Sequence, residues 1–388
     1  MTLLIKNASV FDAIHPDPYQ SDILVENGKI KKIAKAIKSK ADEVFDAQGL
    51  YCFPGFIDAH SHLGMDGWGI GYEGTDYNEL NDICTPHLRA IDGFKPMQPT
   101  LLEAAQAGVT CVSTGPGSAN VLGGTFMAVK TVGHRADDMV IRQDAAMKCA
   151  FGENPKRVYR EKGISSRMTT AARLREALMK AREYMQKKEA AGSDASKLPA
   201  YDIKLEALLP VLRREIPLKA HAHATEDIFT AIRVAKEFDV RLTLEHVTEG
   251  HLIAEDLAKE NVPLAVGPTL THATKFELRN KSWVTPGALD RAGCLVSIIT
   301  DAPVIPQQYL PLCAGMAVKA GMDKFKALQA ITINPARHIG IEDRVGSLEA
   351  GKDADIVITD GCPFEVSTEV IRVYIDGRAV EAPKHGVE

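Results

Sequence analysis

The chain has 388 residues, 45% hydrophobic and 25% charged, a balance that excludes global disorder, a fibre or a low-complexity tract. Lys and Arg number 46 against 51 Asp and Glu, for a formal charge of −5 with no long single-sign block, so no basic face for nucleic acid is expected. No apolar run reaches the ~18–20 residues of a membrane span, and the N-terminal apolar stretch is too short for a signal peptide.

The seven cysteines are scattered and never form a CxxC pair, which points to a reducing cytoplasm rather than to disulfides. In chain order, residues 1–50 read as short strands with near period-2 alternation, turned at Asn27-Gly28. Apolar strands follow at Cys52–His62, Val109–Thr114, Met147–Gly152, Leu218–His223, Leu242–His246, Pro263–Gly267 and Cys294–Thr300. Helical stretches lie between several of them, at Pro99–Ala107, Asp227–Phe238, Ile253–Glu260 and Lys324–Thr332. Buried, non-alternating strands separated by helices predict a parallel sheet, and their repetition fits a (β/α)8 TIM-like barrel over residues 51–344. A charged helical insertion is expected near 161–200, with its helix over Ala171–Ala191. The last strands, around Asp355–Thr359 and Val370–Val380, turn at Asp376-Gly377, and residues 345–388 are expected to join 1–50 in one small β-sandwich.

The chemistry-bearing residues fall at the ends of these strands. His60 and His62 end the first, where period 2 puts both imidazoles on one side. His221 and His223 end a later strand, His246 the next, and Asp301 follows the last. In a closed barrel those ends ring one mouth, and an imidazole and carboxylate set suits zinc, with manganese, iron, nickel or cobalt as other fits.

Three stretches extend the pattern: Pro54-Gly-Phe-Ile-Asp-Ala-His-Ser-His, Ala330-Ile-Thr-Ile-Asn-Pro-Ala-Arg and Gly346-Ser-Leu-Glu-Ala-Gly-Lys-Asp-Ala-Asp-Ile-Val. With them the chain resembles the amidohydrolase superfamily along nearly its whole length, in the imidazolonepropionase-related branch of hydrolases. The resemblance implies a barrel bearing one or two divalent metals and hydrolysis of C–N bonds in a small molecule. Carried over by position, His60, His62, His221 and His246 are metal ligands, and Asp301 is both ligand and general base. The remaining ligand is expected from Met147–Pro155, with Glu153 preferred and a carbamylated, bridging Lys148 as the alternative. His223, Thr269 and His272 are expected at the substrate. Gly115–Gly124 reads as a tight Gly-rich loop, and Gly67–Gly74 as a lid over the mouth. In the expected mechanism, Asp301 takes a proton from metal-activated water and returns it to the leaving nitrogen. A peptidase or esterase on the same barrel, or a catalytically silent metal-binding barrel, is the alternative. Expected partners are a small-molecule substrate and further copies of the chain, with no nucleic acid and no membrane.

Overall fold

Strand-forming segments at the two ends of the chain meet in one sheet. A computed structural model, which describes residues 1–66 and 71–381, orders it Arg378–Ala379, Val370–Ile375, Ile356–Thr359, Tyr51–Pro54, Thr2–Val10, Tyr19–Glu26, Lys29–Ala34. Glu43–Asp46 branches from Thr2–Val10. Both expected hairpins turn through left-handed residues, Asn27 (φ 53°) with Gly28 (φ 78°) and Asp376 (φ 49°) with Gly377 (φ 69°). Leu3, Ile5, Ile23, Ile356 and Tyr374 form part of a separate apolar core.

The single strand expected over Cys52–His62 is two. Tyr51–Pro54 pairs antiparallel with Ile356–Thr359, and Phe56–Ser61 opens the barrel. Gly55 permits the change because a Cβ there would stand 2.0 Å from Thr110 Oγ1.

Among the described residues the barrel sheet has eight strands, paired in chain order. They are Phe56–Ser61, Val109–Thr114, Leu122–Lys130, Val140–Ala150, Leu218–Ala222, Leu242–His246, Leu264–Val266 and Val296–Ile298. Seven of them are buried along their whole length, which is why those other than the third read as apolar runs. The third strand was not expected; it begins in the last residues of the expected loop Gly115–Gly124 and is antiparallel to both neighbours. Gly123 and Gly124 disguised it; Gly124 has φ 117°, and a Cβ there would meet Leu88 O at 2.3 Å. The fourth strand begins at Val140 rather than at Met147.

Among the described residues no ladder joins the first strand to the eighth, and other groups close the ring. Ile57 N donates to Ile331 O (2.8 Å) and Ile298 N to Ala330 O (2.9 Å). The buried Asp58 carboxylate accepts from Thr300 N (2.9 Å), Thr300 Oγ1 (2.6 Å) and Gln307 Nε2 (2.8 Å).

The charged helix runs over Arg167–Ala191. Its Ala171, Leu174, Leu178 and Ala181 share a buried core with Met147 and Leu218 of the barrel strands. Lys130, at the end of the third strand, joins the two sheets: its Nζ lies 2.7 Å from Asp355 Oδ2 and 3.2 Å from both Asp353 and Asp376 carboxylates. Among the described residues no helix is long and apolar enough to cross a membrane.

Candidate metal centre

Parallel strands present their C-terminal ends on one rim, and two histidine groups meet there. In the first, Asp301 Oδ1 lies 3.6 Å from His60 Nε2 and 3.4 Å from His62 Nε2. Lys148 Nζ stands 3.2 Å from His60 Nε2. In the second, His221, His223 and His246 offer nitrogens all within 4.8 Å of one another. The groups adjoin, since the His60 and His246 ring centroids are 5.0 Å apart. Strand alternation alone would turn His246 away from Glu245 and from its register partner, His221. Its backbone is left-handed instead (φ 77°), as are Val247 (φ 45°) and Asp301 (φ 55°). Non-glycine residues in that region are uncommon and cost about 1–3 kcal/mol, a strain that clusters at functional sites.

Hydrogen bonds set the orientation of the rings. His62 Nδ1 donates to Gly115 O (2.7 Å) and His246 Nδ1 to Gly267 O (2.8 Å). A carbonyl only accepts, so each Nδ1 carries a proton, which leaves Nε2 as the nitrogen that can offer a lone pair to a cation. His223 Nδ1 meets Thr248 Oγ1 at 2.7 Å. His60 Nδ1 faces Glu245 Oε2 at 3.2 Å, and that buried carboxylate also holds Lys219 (2.9 Å), His338 (3.0 Å) and Thr243 Oγ1 (2.8 Å). Among the described residues, neither ring nitrogen of buried His221 has a hydrogen-bond partner. An orphaned buried imidazole of this kind calls for a further ligand.

Burial drives His60, His221 and His223 well below the ordinary imidazole range. It takes His246 to about 4 although Asp301 opposes the shift. All four are therefore neutral at pH 7, the form that binds a metal. Burial works to raise the Asp301 carboxyl, but the imidazoles of His246, His62 and His60 outweigh it and hold the group well below the usual carboxylate range. Burial lowers the Lys148 amine to about 8, against the opposing pull of Glu245 and Asp301. Unprotonated nitrogens around an ionised carboxylate fit a divalent cation.

The structure thus brings His60, His62, His221, His246 and Asp301 together, with His223 inside the second group rather than beside it. It does not bring Glu153 there, which corrects the preferred expectation. The fourth strand ends at Ala150, Gly152 (φ 80°) turns the chain, and Glu153 opens the helix Glu153–Val158. Its N–H donates to Glu277 Oε2 (2.9 Å) and its carboxylate accepts from Glu277 N (3.4 Å). Lys148 is the residue of that segment at the His60 imidazole.

A cavity of about 700 Å³ opens over the groups, lined by His62, Tyr77, His221, His223, Lys275 and Asp301 among others. His272 also lines it, but Thr269 does not, although its neighbours Pro268 and Leu270 do. Gly117, Ser118 and Ala119 of the expected loop reach the cavity as well. Of the expected lid, 67–70 lie outside the described residues; Tyr72–Gly74 form an exposed turn, and Asp66 bridges Thr75.

Glu245, Lys219, His338, Tyr77, Lys275 and Glu277 were not anticipated. Charged residues within apolar buried strands (Leu-Thr-Leu-Glu-His, Leu-Lys-Ala-His) were a usable signal for the first two. Tyr77 stacks on His62 with centroids 5.0 Å apart, and nothing in its local sequence marks it.

The sequence pattern of the Amidohydrolase family matches residues 51–380. A crystal structure of an amidohydrolase from Thermotoga maritima MSB8 is similar with a TM-score of 0.95 and 42% identity, covering 98% of this chain and 100% of that one. An amidohydrolase from Hapsidospora irregularis, tasK, is 31% identical over 92% of this chain, which spans only 39% of that longer protein. A dihydroorotase from Elusimicrobium minutum is 27% identical over 93% of this chain and 88% of its own length.

Proposed function

The chain belongs to the amidohydrolase family, and on that premise we propose that it is a metal-dependent hydrolase of C–N bonds in a small cyclic amide, amidine or N-acyl compound. The observation that carries this reading is Asp301: an ionised carboxylate at the wall of a cavity of about 700 Å³, within 3.6 Å of two imidazole nitrogens.

His60, His62 and Asp301 would hold one divalent ion, and His221 and His246 a second, with Zn²⁺ the best match to nitrogen and oxygen donors. A bound cation supplies Lewis acidity and a lowered pKa for water. The Asp301 carboxylate accepts the proton of the attacking water and delivers it to the leaving nitrogen. The bonds from His62 Nδ1 and His246 Nδ1 to backbone carbonyls keep those rings from rotating during the reaction. Lys148, whose pKa burial lowers to about 8, is suited to react as the free amine with CO₂, forming a carbamate with release of one proton; the carbamate would stand beside His60. The seven unpaired cysteines favour a cytoplasmic setting.

The test is turnover of an amide library, with peptides and esters alongside, by protein stripped with chelator and then reloaded with Zn²⁺. Cyclic-amide or amidine hydrolysis that disappears on stripping and returns on reloading is expected. Turnover of esters or peptides alone, or turnover that survives stripping, overturns the reading.

A further inference from the structure

A buried carboxylate that no barrel strand supplies stands against the second histidine group. Glu277 lies in the short turn Phe276–Leu278, after the seventh strand, and is fully buried. Its Oε2 accepts the Glu153 N–H (2.9 Å), an approach that Gly152 allows, since a Cβ at Gly152 would stand 2.5 Å from that oxygen. Its Oε1 lies 3.8 Å from His221 Nε2 and 3.7 Å from His223 Nε2. The Lys275 ammonium sits 2.5 Å from the same oxygen, while also donating to Asn154 Oδ1 (3.0 Å).

An anionic oxygen within 3.8 Å of two imidazole nitrogens is a place for positive charge. Zn²⁺ takes such ligands at about 2.0–2.2 Å, so any two of them stand at most about 4.4 Å apart. Separations of 3.7 and 3.8 Å meet that limit. A purely structural Glu277 would need only its bond to Glu153 and its pair with Lys275. That role gives no reason for its Oε1 to stand within 3.8 Å of both His221 Nε2 and His223 Nε2.

We propose that Glu277, together with His221 and His223, ligates a divalent cation at the second group, and that Lys275 is the counter-ion this cation replaces. The proposal rests on the metal-dependent reading above but adds a ligand from a different loop. Lys275, on the cavity wall, is then free to face the bound substrate.

Titration with Co²⁺, followed by its visible absorption and by metal content per chain, tests this in the full-length protein. For Glu277→Gln, affinity at one site is expected to fall more than about 100-fold, beyond the roughly 10–100-fold that losing an outer contact costs. For Lys275→Met, which removes the competing ammonium, that site is expected to bind more tightly than in wild type. A structural ion pair predicts the opposite sign, because Lys275→Met would leave Glu277 buried without a partner and would only weaken the site. Wild-type Co²⁺ affinity and spectrum in Glu277→Gln, or no tightening in Lys275→Met, overturns the proposal. A wild-type chain that binds no Co²⁺ overturns the underlying metal reading instead.

Discussion

Asp301 is held ionised by the imidazoles around it, so its role as proton acceptor can be separated from its role as ligand. Asp301→Asn keeps a coordinating oxygen but not the basicity. Metal content is expected to stay near wild type while kcat falls by about 10²–10⁴-fold, the usual contribution of a general base. Near-normal kcat would move the base elsewhere. Lys148 and Glu153 differ just as sharply: one amine sits 3.2 Å from His60 Nε2, whereas the other side chain is turned to the Glu277 main chain. Lys148→Met is therefore expected to lose metal, and wild-type loading to rise with bicarbonate, while Glu153→Gln stays loaded; metal analysis of the three proteins decides. These residues also mark where the sequence was legible. His60 and His62 could be paired by alternation because the strand Phe56–Ser61 ends only one residue before His62, even though its register shifts between Asp58 and Ser61. The geometry at His246 and Asp301 depends on left-handed backbone that no periodicity reveals, and Glu153 failed because the strand ends at Ala150. Glu277 reaches the site along a loop path, which local sequence does not encode.

Single elements carry their own lesson. The charged helix Arg167–Ala191 is a packed wall of the barrel core, since a stripe of small and apolar residues recurs every three or four positions beneath its Lys, Arg and Glu. The third strand escaped notice because Gly123-Gly124 reads as a turn, yet Gly124 is there for close contact with Leu88 and Gly123 lies against Pro116. The seam between the first and eighth strands depends on one carboxylate, Asp58, which also accepts the His60 N–H (2.9 Å). Asp58→Ala would leave several buried donors unpaired at about 1–3 kcal/mol each. A loss of at least about 3 kcal/mol in urea unfolding is expected, with Asp58→Asn much milder because it keeps an acceptor. An unchanged midpoint in the alanine variant would show that the seam is held by the backbone bonds alone.

At the scale of the molecule, the terminal sheet and the barrel are joined by Lys130 among Asp353, Asp355 and Asp376. Breaking a buried pair from one side costs about 3–5 kcal/mol, because the remaining charges stay buried without compensation. Lys130→Met is expected to lower stability by that amount in denaturant titration, and a loss below about 1 kcal/mol would make the junction mainly apolar. The pairing of the two chain ends was legible from the Asn-Gly and Asp-Gly hairpins; the place where the chain crosses between sheets was not, because it depends on Gly55 meeting Thr110 in space. The antiparallel third strand has a further consequence, for the order of assembly. Residues 109–150 form a meander whose neighbours are joined by short connections, whereas every parallel pair needs a longer crossover. Short closures cost less chain entropy, so this meander is expected to acquire protection first in pulse-labelled hydrogen exchange during refolding, ahead of Leu218–Ala222 and Leu242–His246. Lys148 would then be in place on a formed template before the strands bearing His221 and His246 dock against it, and simultaneous protection of all these strands would rule that order out.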